Sequence, residues 1–280
     1  MPELPEVETV RRQIAPRAEG RRIAELEVLD ERWSAPRPAR EIADAVRGRR
    51  IERVGRRGKY LSWTLAEEVH LVMHLRMTGN LLYDAAPQPP HTRVRIVLSD
   101  DHEVLFVDQR RFGTGELVLG DAALAEFFAQ RLGLEPFDEG FTTDHLHALG
   151  RGSRAPIKAF LLDQRRIAGV GNIYADEALY RARIHPLRPA GRLTRAQWER
   201  LRLAIIDALR AGIDARGATI DDFRDTEGAR GSFQDQFLVH LRQGQPCLNC
   251  GREIVKLVAA GRGTYVCEAC QPRPRRARRK

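Results

Sequence analysis

The stretch VHLVMHLRM, residues 69–77, decides the architecture of the first half of the chain. Its apolar residues recur at every second position, which is the period of a β-strand. Shorter runs at 94–98 and 104–106 alternate in the same way on either side of the polar turn 99–101. Several strands at this spacing predict a β-sandwich or a barrel, and we assign this domain to residues 1–133.

The residues ahead of these strands predict an amphipathic helix that anchors the N-terminus. Val7, Val10 and Ile14 recur at helical spacing, and Pro16 is expected to end the helix. The helix therefore belongs to the N-terminal domain and holds the first residues of the chain in place.

Pro2 directly follows the initiator, so removal of Met1 would leave a secondary amine with no peptide bond. An α-amino group titrates at about pH 8, so a neutral fraction could attack an electrophilic carbon and form an imine-type intermediate. The neighbouring carboxyl group of Glu3 could move the protons that this chemistry requires. Alternatively, Pro2 merely follows the start codon and Pro5 begins a helix, so the rest of the chain must decide.

A second, helical domain follows the strands. Asp121 is expected to cap a short helix that ends near Gly133, residues 134–150 form a linker region, and residues 151–236 form the helical domain. Thr194 is the expected N-cap of its last helix, which buries Trp198, Leu201, Ile205 and Leu209 on one face. The glycine-rich turn at 169–174 opens another helix and either offers backbone N–H groups to a phosphate or simply connects two helices.

The four cysteines form two pairs, Cys247-x2-Cys250 and Cys267-x2-Cys270, separated by sixteen residues. This spacing predicts a tetrahedral zinc site with four thiolate ligands in a finger over residues 237–271. A redox dithiol or core cysteines would fit two complete pairs poorly. Four thiolates leave no open position for water, so the zinc is expected to be structural, and Arg262 would lie at the tip of the finger hairpin.

Composition limits the class of protein. The 280 residues are 42% hydrophobic and 30% charged, and the longest apolar runs are far shorter than the roughly 20 residues of a membrane span. The default expectation is therefore a cytoplasmic globular protein that does not bind membranes. The formal charge of +9 favours an anionic partner, but the last ten residues contribute six of these charges. The tail at 272–280 is expected to be disordered and either binds polyanions or only improves solubility.

Several basic and apolar side chains stand at predicted strand ends. Lys59 opens a strand, Arg110 and Phe112 follow another, and Met77 precedes a turn. One apolar, one cationic and one aromatic side chain at loop tips could form a wedge that enters a DNA base stack. Each also has a simpler interpretation, as a core residue or as a solvated charge at the edge of a sheet.

Taken together, the chain resembles the formamidopyrimidine-DNA glycosylase branch of the Fpg/Nei family over residues 2–270. The motifs that carry the resemblance are PELPEVE at 2–8, RRGKYL at 56–61, HLRMTG at 74–79, RRFG at 110–113, GVGNIYADE at 169–177 and the paired CxxC finger. The resemblance implies an N-terminal β-sandwich, a helix-two-turn-helix domain and a four-cysteine zinc-finger hairpin.

The resemblance also implies a role for particular residues. Pro2 would be the nucleophile, Glu3 the acid, Lys59 an aid to β-elimination, and Arg262 a phosphate-binding residue tied to δ-elimination. The expected DNA contacts are His91, Arg154, Lys158 and Asn172, with Met77, Arg110 and Phe112 filling the space of the flipped nucleotide.

Three departures from the family pattern bear on loop stiffness, finger docking and base reading. Gln109 replaces a proline of DPRRFG, and VHLR at 239–242 replaces VYGR. The segment 227–231 lacks the proline of a DGxPG turn, and Asp221 stands where a basic residue is frequent.

The sequence therefore predicts a bifunctional glycosylase and abasic-site lyase of base excision repair, acting on oxidised purines in double-stranded DNA. It would be a monomer with one structural zinc ion. The same chemistry on oxidised pyrimidines is the second hypothesis, and a non-catalytic damage-binding protein is the third.

Overall fold

The computed structural model describes residues 1–274, and this part of the chain folds into two compact units. The first unit contains residues 1–131 and 212–234, and the second contains residues 132–211 and the chain from Asp235 onward. Segment 212–234, assigned from sequence to the helical domain, packs with the first unit. Of the basic tail assigned to 272–280, residues 275–280 lie outside the described part of the chain.

Two four-stranded antiparallel sheets form the centre of the first unit, as the β-sandwich prediction requires. One sheet has the order β1 (Ile23–Val28), β6 (Thr92–Leu98), β7 (Glu103–Asp108) and β5 (Gly79–Tyr83). The other has the order β2 (Ile51–Arg57), β3 (Tyr60–Leu65), β4 (Val69–His74) and β8 (Thr114–Leu119). Helices α2 (Ala39–Val46) and α3 (Asp121–Ala129) complete the unit.

Three elements in this unit differ in their bounds from the sequence prediction. Helix α3 has Gly120 and not Asp121 at its N-cap, and it ends at Ala129 and not near Gly133. Strand β4 ends at His74, three residues before Met77, because residues 76–78 form a turn in which Arg76 has a φ of +54°. Helix α1 (Leu4–Ala18) continues through Pro16 instead of ending there. Pro16 removes one N–H group in the last turn, but it lies on the exposed side, where water can satisfy the carbonyl group left without a partner.

The apolar face of α1 packs into the core of the first unit as predicted. Val7, Val10 and Ile14 are fully buried among strand residues such as Trp63 and Phe106. This packing fixes the helix, and with it the N-terminal residues that precede it.

Four α-helices lie in the described part of the second unit. They are α4 (Thr143–Gly150), α5 (Ile157–Leu162), α6 (Asn172–Arg181) and α7 (Arg195–Asp214). Thr194 caps α7 as predicted, since its Oγ1 accepts from the N–H of Gln197 and its own N–H donates to Gln197 Oε1. The predicted apolar face of α7 is buried, with Trp198 packed against Phe160 of α5.

The cysteine finger is a two-stranded hairpin, β9 (Val255–Ala259) and β10 (Arg262–Val266). Ala260 and Gly261 both have positive φ, as a two-residue type I′ turn requires. The finger packs on α6 through a cluster that contains Tyr180, Val239 and Tyr265. Thus the finger docks on the helices although VHLR replaces VYGR, and Leu241 takes a φ of +58° at the position of the glycine.

Candidate active site and DNA-contact residues

The N-terminal motif is held by a buried network around Glu6. Pro2 and Glu3 are both buried, and Glu3 occupies the N-cap position of α1. The N–H of Glu3 donates to Glu6 Oε2 at 2.8 Å, and Glu6 Oε1 accepts from the N–H of Ala218 at 2.7 Å. One carboxylate therefore joins the start of the N-terminal motif to the segment that precedes the 221–234 loop.

Lys59 lies at the tip of the β2–β3 hairpin, directly before β3. Gly58 supplies the positive φ of the two-residue turn, and Lys59 is almost completely buried. Arg56 Nη1 donates to the carbonyl group of Gly58 at 3.0 Å, and Arg56 Nε donates to Glu8 Oε2 at 3.1 Å. Glu8 thus connects the PELPEVE helix to the turn that presents Lys59.

The pKa of the Glu8 carboxyl group reflects these contacts. Burial alone would raise its pKa, but hydrogen bonds from Arg11 and Arg12 and the charge of Arg56 outweigh burial and lower the pKa from 4.5 to about 2. A carboxyl group with a depressed folded pKa stabilises the protein above its unfolded pKa. Its contribution is lost as the pH falls from about 4.5 towards 2.

We expect Glu8→Gln to lower the free energy of unfolding by about 1.5–3 kcal/mol at pH 7, because hydrogen bonds to charged groups are lost. The difference from wild type should shrink as the pH is lowered through the window from 4.5 to 2. Denaturant unfolding at pH 7 and pH 3 measures both values. Glu41→Gln is the matched control, since Glu41 is an exposed partner of Arg37. An equal loss of stability in both variants would contradict the proposed stabilising role of the Glu8 contacts with Arg11, Arg12 and Arg56.

His74 is a further candidate for the site that the sequence did not single out, although it begins the HLRMTG motif. Burial, followed by the charges of Arg76 and Lys59, lowers its pKa to about 3, so the imidazole is neutral at working pH. Its Nδ1 accepts from the N–H of Arg76 at 2.9 Å, which leaves Nε2 as the protonated donor. The ring can therefore donate a hydrogen bond near Lys59 without adding a second positive charge.

The predicted wedge residues are exposed in ways that suit their expected role. Half of the Phe112 side-chain surface is accessible, and the Arg110 guanidinium lies 4.8 Å from the centre of its ring. Met77 is only half-buried in the turn after β4. Their insertion into DNA remains a prediction.

Asp108 organises the loop that carries Arg110 and Phe112, and the sequence analysis missed it. Its buried carboxylate accepts from the N–H groups of Phe112 at 2.8 Å and Gly113 at 2.7 Å, from the N–H of Arg110, and from the hydroxyl group of Thr78. Four bonds to one side chain hold this loop although Gln109 replaces the proline of relatives.

We expect Asp108→Asn to slow base excision by about 10- to 100-fold, because an amide N–H₂ would face backbone donors and misplace the wedge. Binding to a duplex with a tetrahydrofuran abasic analogue should fall less, since that site is easier to flip. Single-turnover excision and equilibrium binding test this, with Asp44→Asn on the exposed face of α2 as control. Equal losses in excision and binding would argue against a role in flipping.

The other predicted DNA contact of the first unit is His91. It is exposed just before β6 with a φ of +68°, and its carbonyl group accepts from the N–H of Asp108. The hydrogen bond connects His91 to the residue that holds the wedge loop.

The loop at 221–234 is part of the first unit and contacts α1 and β5. Gln13 of α1 accepts from the N–H of Thr226 and donates to Asp225, while Asn80 of β5 accepts from the N–H of Arg224. Phe223 joins the apolar core. These long-range contacts hold the loop without the proline of the DGxPG pattern.

In the second unit, Arg154 and Arg262 are exposed, whereas Lys158 is fully buried. Lys158 Nζ donates to Asp176 Oδ1 and to Thr264 Oγ1, both at 2.7 Å. Asn172, at the start of α6, donates to the carbonyl group of Gly263 at 3.1 Å. The burial of Lys158 supports a role in positioning the finger more than the direct phosphate contact predicted from sequence.

The four cysteine thiols fit one zinc ion. Their Sγ atoms all lie within 4.8 Å of one another, and the pairs Cys247–Cys270 and Cys250–Cys267 are 3.8 and 3.5 Å apart. Tetrahedral zinc with bonds of about 2.3 Å places its sulfur ligands roughly 3.8 Å apart, whereas a disulfide requires about 2.0 Å. The four ligands of this structural zinc therefore all come from the finger.

The fold combines a β-sandwich, an α-helix that directly follows Pro2 and Glu3, a helical domain and a four-cysteine finger. Together these features define a DNA glycosylase of the helix-two-turn-helix class. Family models agree: residues 1–115 match the formamidopyrimidine-DNA glycosylase N-terminal domain, 132–224 its H2TH domain, and 244–273 a zinc finger found in FPG and IleRS. The chain belongs to the formamidopyrimidine-DNA glycosylase family.

Similar proteins cover the same length. The formamidopyrimidine-DNA glycosylase of Desulfitobacterium hafniense is 44% identical over 276 residues, which is 97% of this chain and 100% of that protein. An FPG variant of Lactococcus lactis in complex with Fapy-dG-containing DNA is 35% identical, with a TM-score of 0.91, over 97% of this chain and 100% of that one. A Lactococcus lactis Fpg complex with abasic-site DNA has a TM-score of 0.89, with the same identity and coverage.

Proposed function

We propose that this protein is a bifunctional DNA glycosylase and abasic-site lyase that removes oxidised purines, namely formamidopyrimidines and 8-oxoguanine, from double-stranded DNA. The observation that carries the proposal is the buried N-terminal motif, in which Pro2 and Glu3 precede a helix linked through Glu8 and Arg56 to the Lys59 turn. Similarity to enzymes solved with Fapy-dG and abasic DNA supports the substrate class.

Pro2 would attack C1′ of the damaged nucleoside once Met1 has been removed. The base leaves with the electrons of the glycosidic bond, and the Pro2 nitrogen loses its N–H proton. The C1′–O4′ bond then opens, Glu3 supplies a proton to the sugar oxygen O4′ or to the base, and the Pro2 nitrogen becomes an iminium. Because that iminium keeps a positive charge without an N–H proton, it withdraws electrons from C2′ throughout the next step.

The lyase steps follow from the same intermediate. Loss of the C2′ proton expels the 3′ phosphate in β-elimination, and loss of the C4′ proton then expels the 5′ phosphate in δ-elimination. Lys59 would assist the first step and Arg262 would bind phosphate during the second. His91, Arg154 and Asn172 would bind the phosphates of the DNA backbone. The enzyme would act as a monomer, in the cytoplasm, where the bacterial chromosome lies.

The free-energy cost of flipping the damaged base out of the helix would be offset by the wedge residues and by phosphate contacts. Unstacking a base costs a few kcal/mol, roughly, and side chains that enter the stack recover part of this free energy. Arg110 and Phe112 on the Asp108 loop, with Met77, are the candidates for insertion.

Two other functions are less well supported. Oxidised pyrimidines would be released by the same chemistry, but the family match and the Fapy-dG complex favour purines. A non-catalytic binding protein would need a missing or blocked catalytic group, whereas Pro2, Glu3 and Lys59 are all present.

Borohydride trapping tests the function directly. The protein should form a covalent adduct with duplexes that contain 8-oxoguanine or formamidopyrimidine, and should cleave them to a one-nucleotide gap. Duplexes with dihydrouracil or thymine glycol run in parallel separate the purine and pyrimidine hypotheses. Absence of an adduct with every lesion and with an abasic site would refute the lyase.

A further inference from the structure

The second unit contains a buried chain of hydrogen bonds that ends at the tip of the finger. His240 Nδ1 lies 2.9 Å from Asp176 Oδ2, and Asp176 Oδ1 accepts from Lys158 Nζ at 2.7 Å. Lys158 donates in turn to Thr264 Oγ1 at 2.7 Å. The Thr264 hydroxyl group donates to the carbonyl group of Arg262 at 3.0 Å, so the chain ends on the backbone of the finger arginine.

Strand β10 is held at three consecutive residues by this chain. The strand pairs only with β9 among the described strands, so its other edge can accept side-chain contacts from the helices. Lys158 and Asn172 donate to the Gly263 carbonyl group, Lys158 donates to the Thr264 hydroxyl group, and Asp176 accepts from the Tyr265 N–H. The Arg262 side chain, in contrast, is exposed.

The charges in this chain are expensive to bury unless they are paired. The side chains of Lys158 and Asp176 are completely inaccessible to solvent, and Thr264 is also fully buried. Such a pair contributes little net stability compared with apolar packing, but it imposes one geometry because a displaced partner would leave a buried charge uncompensated. A rigid finger tip is what an arginine needs if it is to meet a phosphate group at a fixed distance.

His240 adds a contact from a third segment. It packs edge-on against Phe237 and Tyr265, with ring centres 5.3 and 5.0 Å apart, and bonds to the Asp176 oxygen that also accepts from the Tyr265 N–H. Its position therefore determines how Asp176 is oriented towards Lys158.

We propose that His240, Asp176, Lys158 and Thr264 are positioning residues that set the place of Arg262 for phosphate binding. The inference rests on the proposed function only in its choice of Arg262 as the residue that meets DNA. It assigns Lys158 an indirect role in DNA binding, through the Thr264 hydroxyl group, and gives His240 a specific function in the chain of hydrogen bonds.

The experiment uses the full zinc-loaded protein and compares Thr264→Val with Thr264→Ser. Valine has nearly the shape of threonine but lacks the hydroxyl group, whereas serine keeps it. Equilibrium binding to a duplex with a tetrahydrofuran abasic analogue is measured over a range of salt concentrations. Thr264→Val should bind about 3- to 10-fold more weakly, with a salt slope smaller by about 0.9, which corresponds to one lost phosphate contact, and Thr264→Ser should resemble wild type.

Product analysis separates positioning from general stability. On an abasic duplex at saturating enzyme, Thr264→Val should form the borohydride adduct as wild type does, but should give less δ-elimination product relative to β-elimination product. Arg262→Ala should shift both readouts in the same direction, and the double variant should lose little more than Arg262→Ala alone. Additive losses, or a Thr264→Val protein with wild-type slope and products, would overturn the proposal.

The His240 variants provide a second test that is valid even if Thr264→Val does not fold. Asparagine can place a donor near the position of Nδ1, whereas leucine cannot, so His240→Asn should bind DNA like wild type and His240→Leu should behave like Thr264→Val. Equal DNA affinity and salt dependence of His240→Asn and His240→Leu would contradict the proposed role of the hydrogen-bond chain. If wild type traps no DNA but the slope still changes with Thr264→Val and His240→Leu, the proposed catalytic function fails while the positioning role stands.

Discussion

A form of the protein that retains Met1 is expected to form no borohydride adduct with an 8-oxoguanine duplex. In that form the Pro2 nitrogen is an amide, which has no available electron pair for attack on C1′. Pro2→Gly, with Met1 removed, is expected to excise the base at least about 10³-fold more slowly, a loss of the size seen when a catalytic nucleophile is replaced. Its primary amine gives an imine that must be protonated before it withdraws electrons, whereas proline gives an iminium directly.

Pro5→Gly is the matched control for this experiment. Pro5 lies in the first turn of α1, so its replacement weakens the helix but leaves the N-terminal amine unchanged. Intact-mass measurement establishes which form is present, and single-turnover excision and adduct yield give the rates. Full adduct yield from protein that demonstrably retains Met1 would show that another amine is the nucleophile.

The sequence was sufficient to predict the architecture because its strongest signals are local. The alternation at 69–77 predicts strand β4, although the strand ends at His74. The spacing of Val7, Val10 and Ile14 corresponds to the buried face of α1, and the paired CxxC motifs correspond to one cluster of thiols. Each of these signals lies within one segment of the chain.

The positioning contacts could not be predicted because they join distant segments. A lysine in a basic sequence suggests an exposed cation, yet Lys158 is buried with Asp176 and Thr264 as its hydrogen-bond partners. These partners lie 18 and 106 residues away in the sequence, so no local pattern indicates them. The packing of segment 212–234 with the first unit was also not predictable from local sequence, since the contact between Glu6 and Ala218 spans 212 residues. Asp108 and His74 were overlooked because an acid before a turn and a histidine in a strand have ordinary structural explanations.

Removal of zinc is expected to abolish the contribution of the finger to DNA binding. The hairpin has only two strands, which are marginally stable alone, and its cluster with Tyr180 and Val239 includes the ligands Cys247 and Cys267. Structural zinc sites bind with apparent free energies of about 10–16 kcal/mol near neutral pH, so this energy stabilises the folded finger. Chelated protein, or Cys267→Ser, should therefore bind an abasic-analogue duplex at least about 10-fold more weakly, because Arg262 loses its fixed position.

Metal analysis of the native protein should give one zinc per chain, and adding zinc back to the chelated protein should restore affinity, while Cys267→Ser should recover little. Cobalt substitution should give the intense visible absorption of a tetrahedral thiolate site. Asn249→Ala is a useful control because Asn249 donates to Cys270 Sγ at 3.3 Å but is not a ligand. Loss of such a contact lowers metal affinity by about 10- to 100-fold, which leaves a site with four thiolates occupied, so this variant should retain zinc and bind DNA nearly as wild type does. Native protein without metal, or chelated protein with unchanged affinity, would contradict the structural zinc, because the hairpin that presents Arg262 would then hold its shape without the four thiolates.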